Sequence, residues 1–381
     1  MLDSIFEPAE LIDAAREAAD LDDLWGDSYR EGLAVLTRAI VGEAGLYPAR
    51  AWRIARWMIE LLATRARIAA RLRRYGDAIT GVPIERPIFI TGLPRTGTTM
   101  LHNVMAGMSG LRGYTPWEMR SVVPEDDDDP DWRAGARDDT AAELAALHDR
   151  TPELARIHPM TADTPDECHW LTRHSFASLV FGYTLHVPSY VRWLLARPQP
   201  RVYAEHRVQL QLLAHREPGH AGGRLVLKDP GHLWHLGELL DTYPDALVVR
   251  LHRDPVEAVP SLCSLMHALQ RMDSDRVDPR ELGPFALELV ALGLDREREL
   301  RASRGAERIL DVEFRDLMDD PVATVRAICE RAGQPFDDDA RARLTTWLRD
   351  NPRHKAGRHV YTAAAFGLDE HALRERLGER G

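Results

Sequence analysis

Lysine is almost missing from this sequence. Among 381 residues with 49 basic side chains, only Lys228 and Lys355 are lysine, and every other basic residue is arginine. Codon usage alone enriches some chains in arginine, so the excess of arginine assigns no function. An ammonium, however, is a compact point charge that a planar guanidinium does not reproduce. The two lysines are therefore candidates for roles that arginine does not fill.

Cysteine and long apolar runs are also scarce, and each scarcity excludes a class of protein. Cys168, Cys263 and Cys329 lie far apart, which argues against a disulfide framework or a structural zinc and favours a reducing compartment. No uncharged apolar run reaches the length of about 18 residues that a membrane helix needs. The first twenty residues are acidic and lack the pattern of a signal peptide. We therefore expect a cytoplasmic protein.

Positive charge is in deficit as well. The formal net charge is −11, which argues against a general affinity for nucleic acid. The hydrophobic fraction of 44% and the charged fraction of 29% are ordinary for a globular protein and exclude fibrous and fully disordered chains. A site for an anionic ligand must therefore be built from a local group of residues.

Short apolar runs alternate with helical patterns after residue 86. Because a helical pattern follows each run, we predict crossover connections and a mainly parallel sheet. The predicted strands span 87–91, 224–228, 246–252 and 308–312. The predicted fold class is α/β, a three-layer sandwich in which helices flank the mainly parallel central sheet. Its domain, 86–381, carries a helical insertion at about 120–220, and helical patterns predict an N-terminal helical region, 1–85, packed on the core.

The end of this helical region is rich in arginine. Five arginines between Arg65 and Arg74 share a predicted helix with Ile68 and Leu72 on the other face. A basic helix of this kind suits either peripheral contact with a membrane or the solvated face of a packed helix. The packed helix is the favoured interpretation.

A glycine-containing loop joins the first predicted strand to the next helix. PIFIT runs into GLPRTGTTML, and Gly92 and Gly97 have the G-x-x-x-x-G spacing in which backbone N–H groups and a helix N-terminus surround an anion. Thr98 stands where a P-loop has lysine, so Arg95 is expected to supply the positive charge. A tight turn that only starts a helix is the alternative interpretation.

A second basic residue precedes a helix after the third predicted strand. In LHRDPVEAVPS, Asp254 and Pro255 predict the helix start and Glu257 a capping box. Arg253 lies directly before this start, and Ser261 lies about two turns further along. Ligands collect at the carboxyl ends of parallel strands, so Arg253 is expected at the same edge of the sheet as the glycine loop.

Together these segments resemble the sulfotransferases that use 3′-phosphoadenosine 5′-phosphosulfate (PAPS) as donor. The family's 5′-phosphosulfate loop, P-[KR]-[ST]-G-T-T, is matched by PRTGTT, and its arginine and serine for the 3′-phosphate are matched by Arg253 and Ser261. The resemblance implies a P-loop-like fold, PAPS as donor and adenosine 3′,5′-bisphosphate (PAP) as product. The donor-binding residues that it implies are Arg95, Thr96, Gly97, Thr98, Thr99, Arg253 and Ser261, with Lys355, Gly357 and Arg358 in a basic loop near the C-terminus.

The resemblance is closer to the tyrosylprotein sulfotransferases and related bacterial enzymes than to the cytosolic phenol and steroid enzymes. LKDPGHLWHLGELL resembles their K-D-P strand end, and Pro230 stands where the cytosolic branch has its catalytic histidine. In the tyrosylprotein branch the base is the glutamate of an E-x-R motif, matched here by Glu118 and Arg120 in WEMR. Phe314 stands where the family usually has tyrosine, which puts any hydrogen bond of that tyrosine to the donor in doubt.

Sulfuryl transfer needs a base for the acceptor oxygen and positive charge for the leaving oxygen. Because Lys228 ends a predicted strand, we predict that it lies on the leaving-group oxygen with Arg95 nearby, and the resemblance assigns the base to Glu118. Other candidates for the base stay open: Asp166, Glu167, His169 and His232. His232 and His235 are three residues apart without a third ligand, and no metal is predicted.

The predicted function is transfer of a sulfuryl group from PAPS to a hydroxyl or phenol of a small-molecule or lipid acceptor. A P-loop kinase or NTPase is one alternative, and a non-catalytic nucleotide-binding protein of the same fold is another. The helical region and the insertion are expected to shape the acceptor pocket, because donor binding does not explain them. The oligomeric state stays open, a homodimer being one option.

Overall fold

A sheet of five parallel strands forms the centre of the protein. The computed structural model describes residues 2–124, 129–154, 159–216, 223–352 and 362–378. The strands are β1 (Ile88–Gly92), β2 (Leu111–Arg112), β3 (Arg224–Lys228), β4 (Leu247–His252) and β5 (Ile309–Glu313). Their order across the sheet is β2-β3-β1-β4-β5, so β1 lies in the middle, between β3 and β4.

Helices cover the sheet and make up the N-terminal region. Before β1 they are α1 (Leu2–Ile5), α2 (Pro8–Ala19), α3 (Tyr29–Glu43) and α4 (Pro48–Thr80). Between β1 and β3 they are α5 (Thr98–Ala106), α6 (Pro116–Arg120), α7 (Trp132–Arg150), α8 (His169–Thr172), α9 (Val180–Thr184), α10 (Pro188–Leu195) and α11 (Pro200–Arg216). After β3 they are α12 (Leu236–Thr242), α13 (Pro255–Gln270), α14 (Pro279–Ser303), α15 (Phe314–Asp319), α16 (Pro321–Ala332), α17 (Asp338–Asp350) and α18 (Glu370–Leu377).

The central strands are buried on both faces, which explains their nearly continuous apolar sequences. Successive β1 side chains point to opposite faces. Phe89 packs in one apolar cluster with Leu62 of α4, whereas Ile88 and Ile90 pack in another with Ile328 of α16. The predicted α/β sandwich is confirmed, and the four predicted strands agree with the observed ones to within one residue at each end. Strand β2 escapes prediction because two residues carry no periodicity.

Arg65 is not part of a solvent-facing basic surface. Its side chain is fully buried and donates hydrogen bonds to Glu205 Oε2 at 2.8 Å and to the Leu24 carbonyl at 3.0 Å. Arg73 and Arg74, two turns further along α4, are exposed. The membrane-contact interpretation of 65–74 is therefore wrong for Arg65, because its guanidinium is paired with Glu205 inside the protein. For the rest of the segment it stays a prediction.

The length and the apolar character of the described helices decide whether one of them could cross a bilayer. Among these residues, no helix combines the length and the apolar character needed to span a membrane.

Candidate active site

The loop between β1 and α5 leaves a helix N-terminus uncovered. Gly97 precedes α5 with a φ of 85°, a conformation that favours glycine, and no side chain caps the helix. A Cβ on Gly97 would lie 3.2 Å from the Phe314 ring, and one on Gly92 would lie 2.6 Å from the Leu251 carbonyl oxygen. The first-turn N–H groups of α5 therefore fit the anionic group of a ligand, as the sequence predicts for this loop.

The side chains of the loop divide between structure and cavity. Thr96 is buried, and its hydroxyl donates to the Leu93 carbonyl at 2.8 Å, which closes the turn. Arg95 is exposed, with a φ of 71°, and together with Thr98 and Thr99 it lines a large cavity at this edge of the sheet. Thr96 therefore holds the loop in shape while its neighbours face the cavity.

Arg253 lies at the same edge, as predicted from its place after β4. Its guanidinium donates to the Arg95 carbonyl at 2.6 Å and lies over the Phe314 ring, 4.8 Å from the centroid. It also pairs with Glu257 at 2.8 Å, so this glutamate holds the arginine instead of closing a capping box. Ser261 is buried on the same helix, and both Arg253 and Ser261 line the cavity.

Lys228 lies fully buried behind the start of α5. Its ammonium donates to Glu167 Oε1 at 2.6 Å and to Thr99 Oγ1 at 3.3 Å. The Cys168 N–H donates to the Lys228 carbonyl at 2.9 Å, which fixes Glu167 beside the strand end. Glu167 and Thr99 line the cavity, so they separate the lysine from it.

The cavity extends from the glycine loop into the helical parts of the chain and has a volume of about 1870 Å³. Apolar residues of α4, α7 and α13 line part of it. They are Ile54, Trp57, Leu144, Leu147, Leu265 and Leu269. The helical region and the insertion thus contribute walls to the cavity, as expected.

Comparison with known proteins decides the family. A family model described as "Sulfotransferase family" matches residues 87–338, about two thirds of the chain.

This chain belongs to the sulfotransferase family.

Two mycobacterial sulfotransferases of known structure are similar to this family member over nearly its whole length. STF1 from Mycobacterium tuberculosis H37Rv is 32% identical with a TM-score of 0.83, and 97% of each chain is covered. STF9 from Mycobacterium avium is 27% identical with a TM-score of 0.85, over 97% of this chain and 95% of that one. They support a place among the bacterial sulfotransferases.

A curated relative carries a more detailed name. The omega-hydroxy-beta-dihydromenaquinone-9 sulfotransferase Stf3 of Mycobacterium tuberculosis (strain CDC 1551 / Oshkosh) is 25% identical over 308 residues, 78% of this chain and 75% of the relative. The nearer relation to the tyrosylprotein sulfotransferases stays a prediction.

In this sulfotransferase-family chain, Glu118 serves the start of its own helix. Its carboxylate accepts hydrogen bonds from the Thr115 N–H and hydroxyl, each at 2.8 Å, and from the Arg112 guanidinium at 2.6 Å. The side chain is buried and is not among the residues that line the cavity. Arg120 of the same motif does line it and pairs with Glu143 at 2.8 Å. The structure thus places Glu167, not Glu118, beside Lys228.

The other candidate bases lie around the Lys228 strand end. His169 lines the cavity, whereas Asp166 is buried and accepts from the Trp170 indole at 3.1 Å. His232 is buried against Tyr203, with 2.8 Å between Nδ1 and the phenol oxygen, and burial lowers the pKa of His232 well below its ordinary value. His232 is therefore neutral and enclosed, whereas a base for the acceptor has to face the cavity.

Asp229 follows Lys228 and is buried as well. Burial, followed by the charge of Glu167, raises the pKa of Asp229 to about 8. Its carboxyl group accepts from the Gly231 N–H at 2.7 Å and starts the short turn after β3. Burial therefore disfavours the charged form of Asp229, and Glu167 is the carboxyl group that contacts the Lys228 ammonium.

Among the described residues, one group offers the spacing of metal ligands, but two arginines already occupy it. His252, Glu297 and Asp311 lie together. Arg301 pairs with Glu297 at 2.8 Å and with Asp311 at 2.5 Å, and Arg250 donates to Glu297 at 2.8 Å. The group is an ion-pair network between β4, β5 and α14, and it does not line the cavity.

Three predicted donor residues, Lys355, Gly357 and Arg358, lie outside the described residues. The sequence interpretation gave Glu167 only as one of several bases, because its contact with Lys228 joins residues 61 positions apart. No local pattern announces a contact of that range. Arg173 also lines the cavity but is not among the predicted site residues, because an isolated arginine in an arginine-rich chain does not indicate a binding role.

Proposed function

We propose that this protein transfers the sulfuryl group of PAPS to a hydroxyl of a lipid or other largely apolar acceptor. The observation that carries the proposal is the contact of Lys228 with both Thr99 and Glu167. It brings an ammonium, a helix N-terminus and a carboxylate to one point at the edge of the cavity. These are the charges that transfer between two oxygens requires.

The donor end of the proposed site has two anion-binding positions. The N–H groups at the start of α5, with Arg95, Thr98 and Thr99, suit the 5′-phosphosulfate, and Arg253 with Ser261 suits the 3′-phosphate. The contact between the Arg253 guanidinium and the Arg95 carbonyl, 2.6 Å long, supports a ligand that reaches both positions. Bound PAPS would supply the activated sulfuryl group itself. The protein then has to orient it and balance its charge.

Glu167 is the base in this proposal, in place of Glu118. Its carboxylate lines the cavity and accepts a hydrogen bond from Lys228, which suits it to take the proton of the acceptor hydroxyl. Thr99 and Glu167 separate Lys228 from the cavity, so in this proposal the ammonium does not touch the oxygen that leaves with PAP. It adds its positive charge to the first turn of α5 behind that oxygen.

The acceptor side supports a lipid. Apolar residues from three helices line a cavity of about 1870 Å³, which exceeds the usual 300–1,000 Å³ of a small-ligand pocket. The relative Stf3 is named as acting on a hydroxylated menaquinone, which is a lipid. We therefore propose an acceptor with an apolar body and a terminal hydroxyl.

Donor binding and transfer test the proposal in sequence. Calorimetric titration with PAP in EDTA should show binding at one site, and ATP with magnesium should bind far more weakly. Incubation with labelled PAPS and a set of simple phenols and hydroxy-lipids should then transfer label. Tight magnesium-dependent ATP binding would support the kinase alternative instead. PAP binding without any single-turnover transfer would support a non-catalytic nucleotide-binding protein.

A further inference from the structure

Arg173 is a buried cation in the wall of the cavity. It follows α8 directly, and 8% of its surface is exposed. Within the described parts of the chain, no hydrogen bond or ion pair engages its guanidinium, and its Nε is enclosed without a partner. Buried arginines are almost always paired, because desolvating a charge is costly. An unpaired arginine in the wall of a ligand cavity indicates that a group of the bound ligand supplies the missing partner.

The position of Arg173 is fixed from one side. Its guanidinium lies over the Trp170 ring, 4.1 Å from the centroid, and the indole N–H of Trp170 donates to Asp166 at 3.1 Å. A cation over an aromatic face gains some electrostatic attraction but no hydrogen bond. The four N–H donors of the two terminal nitrogens thus remain for a group in the cavity, whereas the Nε–H is enclosed.

The neighbouring carboxylates do not neutralise Arg173. Glu143 is its strongest attractive neighbour, yet Glu143 pairs with Arg120 at 2.8 Å, and Glu60 lies 3.9 Å from the same Arg120. Arg56 lies near Glu60 and lines the cavity too. Three arginines therefore face three carboxylates once Asp166 is included, but each carboxylate has another partner and none hydrogen-bonds to the Arg173 guanidinium. Burial lowers the pKa of Arg173 to about 10, so it keeps its charge at neutral pH.

We propose that Arg173 binds an acidic oxygen group, a carboxylate or phosphate, on the body of the acceptor, so that the preferred acceptor is an anionic amphiphile. A planar guanidinium matches two oxygens of one such group. This inference rests on the proposed function, because it assigns a second contact to the same acceptor. No other charged group of the cavity wall combines burial with the absence of a partner among the described residues.

Glu167 and Arg173 both line the cavity and lie close together in the chain. Arg173 follows Glu167 by six residues, four of which form α8. At a rise of about 1.5 Å per helical residue, their backbones are about 9 Å apart along this segment. An acceptor whose hydroxyl and acidic group are separated by roughly this distance is therefore a suitable probe for both side chains. Phenols that carry a carboxylate on a short chain meet this description.

Matched probes test the proposal. The acid 3-(4-hydroxyphenyl)propanoate and its methyl ester differ in one charge at about this distance from the phenol. In the wild-type protein, kcat/KM should be at least about tenfold higher for the acid, because a hydrogen bond to a charged group contributes about 1.5–3 kcal/mol. Arg173→Met should abolish this preference, and Arg173→Lys should restore part of it. Arg298→Met, in a surface pair with Asp295 and outside the cavity wall, should leave the preference intact.

Several outcomes separate this proposal from the proposed function. Sulfation of the ester with no preference for the acid, in the wild type, overturns the Arg173 subsite and leaves the sulfotransferase proposal standing. Failure to bind PAP or to sulfate either probe contradicts the proposed function itself. If Arg173→Met loses PAP affinity by the same factor as it loses kcat/KM for the acid, Arg173 contacts the donor, and the acceptor subsite is overturned. If Arg173→Met does not fold, inhibition of the wild type by 3-phenylpropanoate and its methyl ester decides, since the acid should inhibit at lower concentration.

Discussion

At the scale of single residues, the partners of a carboxylate decide what it can do. Glu118 is held by two donors of Thr115 at its own helix start and by Arg112 of β2, and Glu167 is held by the one lysine of the described site. Removing a proton from a substrate requires access to the substrate as well as charge. Only Glu167 of the two faces the cavity. The two glutamates should therefore respond differently to the same substitution.

Glu167→Gln should lower kcat by about 10²–10⁴-fold while leaving the affinity for PAP within a few-fold, because loss of a general base affects the chemical step. Glu118→Gln should instead lower the stability by about 1–2 kcal/mol through loss of the helix cap and the Arg112 pair, with little change in kcat. Steady-state kinetics and thermal melting measure both. Glu288→Gln, in an exposed pair with Arg192, is the control. A larger loss of kcat in Glu118→Gln would return the base to Glu118.

Substitutions of Lys228 and Arg253 should have different effects, the first mainly on turnover and the second mainly on donor binding. Arg253→Ala removes a charge-assisted contact to the donor and should weaken PAP binding by about 10–100-fold. Lys228→Ala should reduce kcat far more than PAP affinity, because its ammonium is needed most when charge develops on the leaving oxygen. Calorimetry with PAP and single-turnover rates separate the two effects. Arg343→Ala, in a surface pair with Asp339, is the control, and equal losses in both main variants would contradict these roles.

Asp229→Asn should make stability less dependent on pH. Burial raises the folded-state pKa of Asp229 to about 8, whereas the unfolded chain ionises near 4. Between these values the folded state holds the extra proton, so the contribution of Asp229 to the free energy of unfolding falls as the pH rises. Asparagine keeps an acceptor for Gly231 without ionising. Its melting temperature, relative to wild type, should therefore be higher at pH 8 than at pH 5. An equal difference at both pH values would contradict the raised pKa.

At the scale of elements, the glycine loop depends on its backbone more than on its side chains. Gly97→Ala should impair both PAP binding and stability, because the new Cβ meets the Phe314 ring at 3.2 Å and the φ of 85° strains any other residue. Gly42→Ala, inside α3 with no atom within 4 Å of its Cβ, should instead be neutral or stabilising by up to about 1 kcal/mol. Melting curves and PAP titration compare the pair. Wild-type PAP affinity in Gly97→Ala would show that the loop does not bind the donor.

The elements also show which features are predictable from sequence. Strands β1, β3, β4 and β5 are predictable because burial on both faces demands continuous apolar runs, and Asp254 caps α13 by accepting from the Val256 N–H at 2.9 Å, as its position before proline indicates. Arg65 and Glu167 are not, since their roles depend on partners 140 and 61 residues away. Local sequence patterns indicate secondary-structure propensity and hydrophobic period, but they do not predict which distant residues form an ion pair.

At the scale of the whole molecule, the glycine loop and the helical walls of the cavity share one apolar cluster. Buried residues of the N-terminal helices, such as Leu36 and Leu62, belong to the same cluster as Phe89 of β1 and Leu262 of α13. The buried ion pair between Arg65 of α4 and Glu205 of α11 ties the helical region to the insertion. The cavity is therefore formed by parts of the chain that depend on one another for a common core.

The chain should therefore unfold in one cooperative transition that the donor product shifts as a whole. Tryptophans are spread from Trp25 to Trp347, so their fluorescence reports on both the helical region and the sheet, and far-UV circular dichroism reports on all helices. In urea the two signals should change together. PAP at a concentration of 100 times its Kd should raise the free energy of unfolding by about 2.7 kcal/mol in both signals, because it binds the folded state alone. Two separate transitions, with PAP delaying only one of them, would mean that residues 1–85 fold independently of the donor-binding domain and that the acceptor wall is an attachment to it.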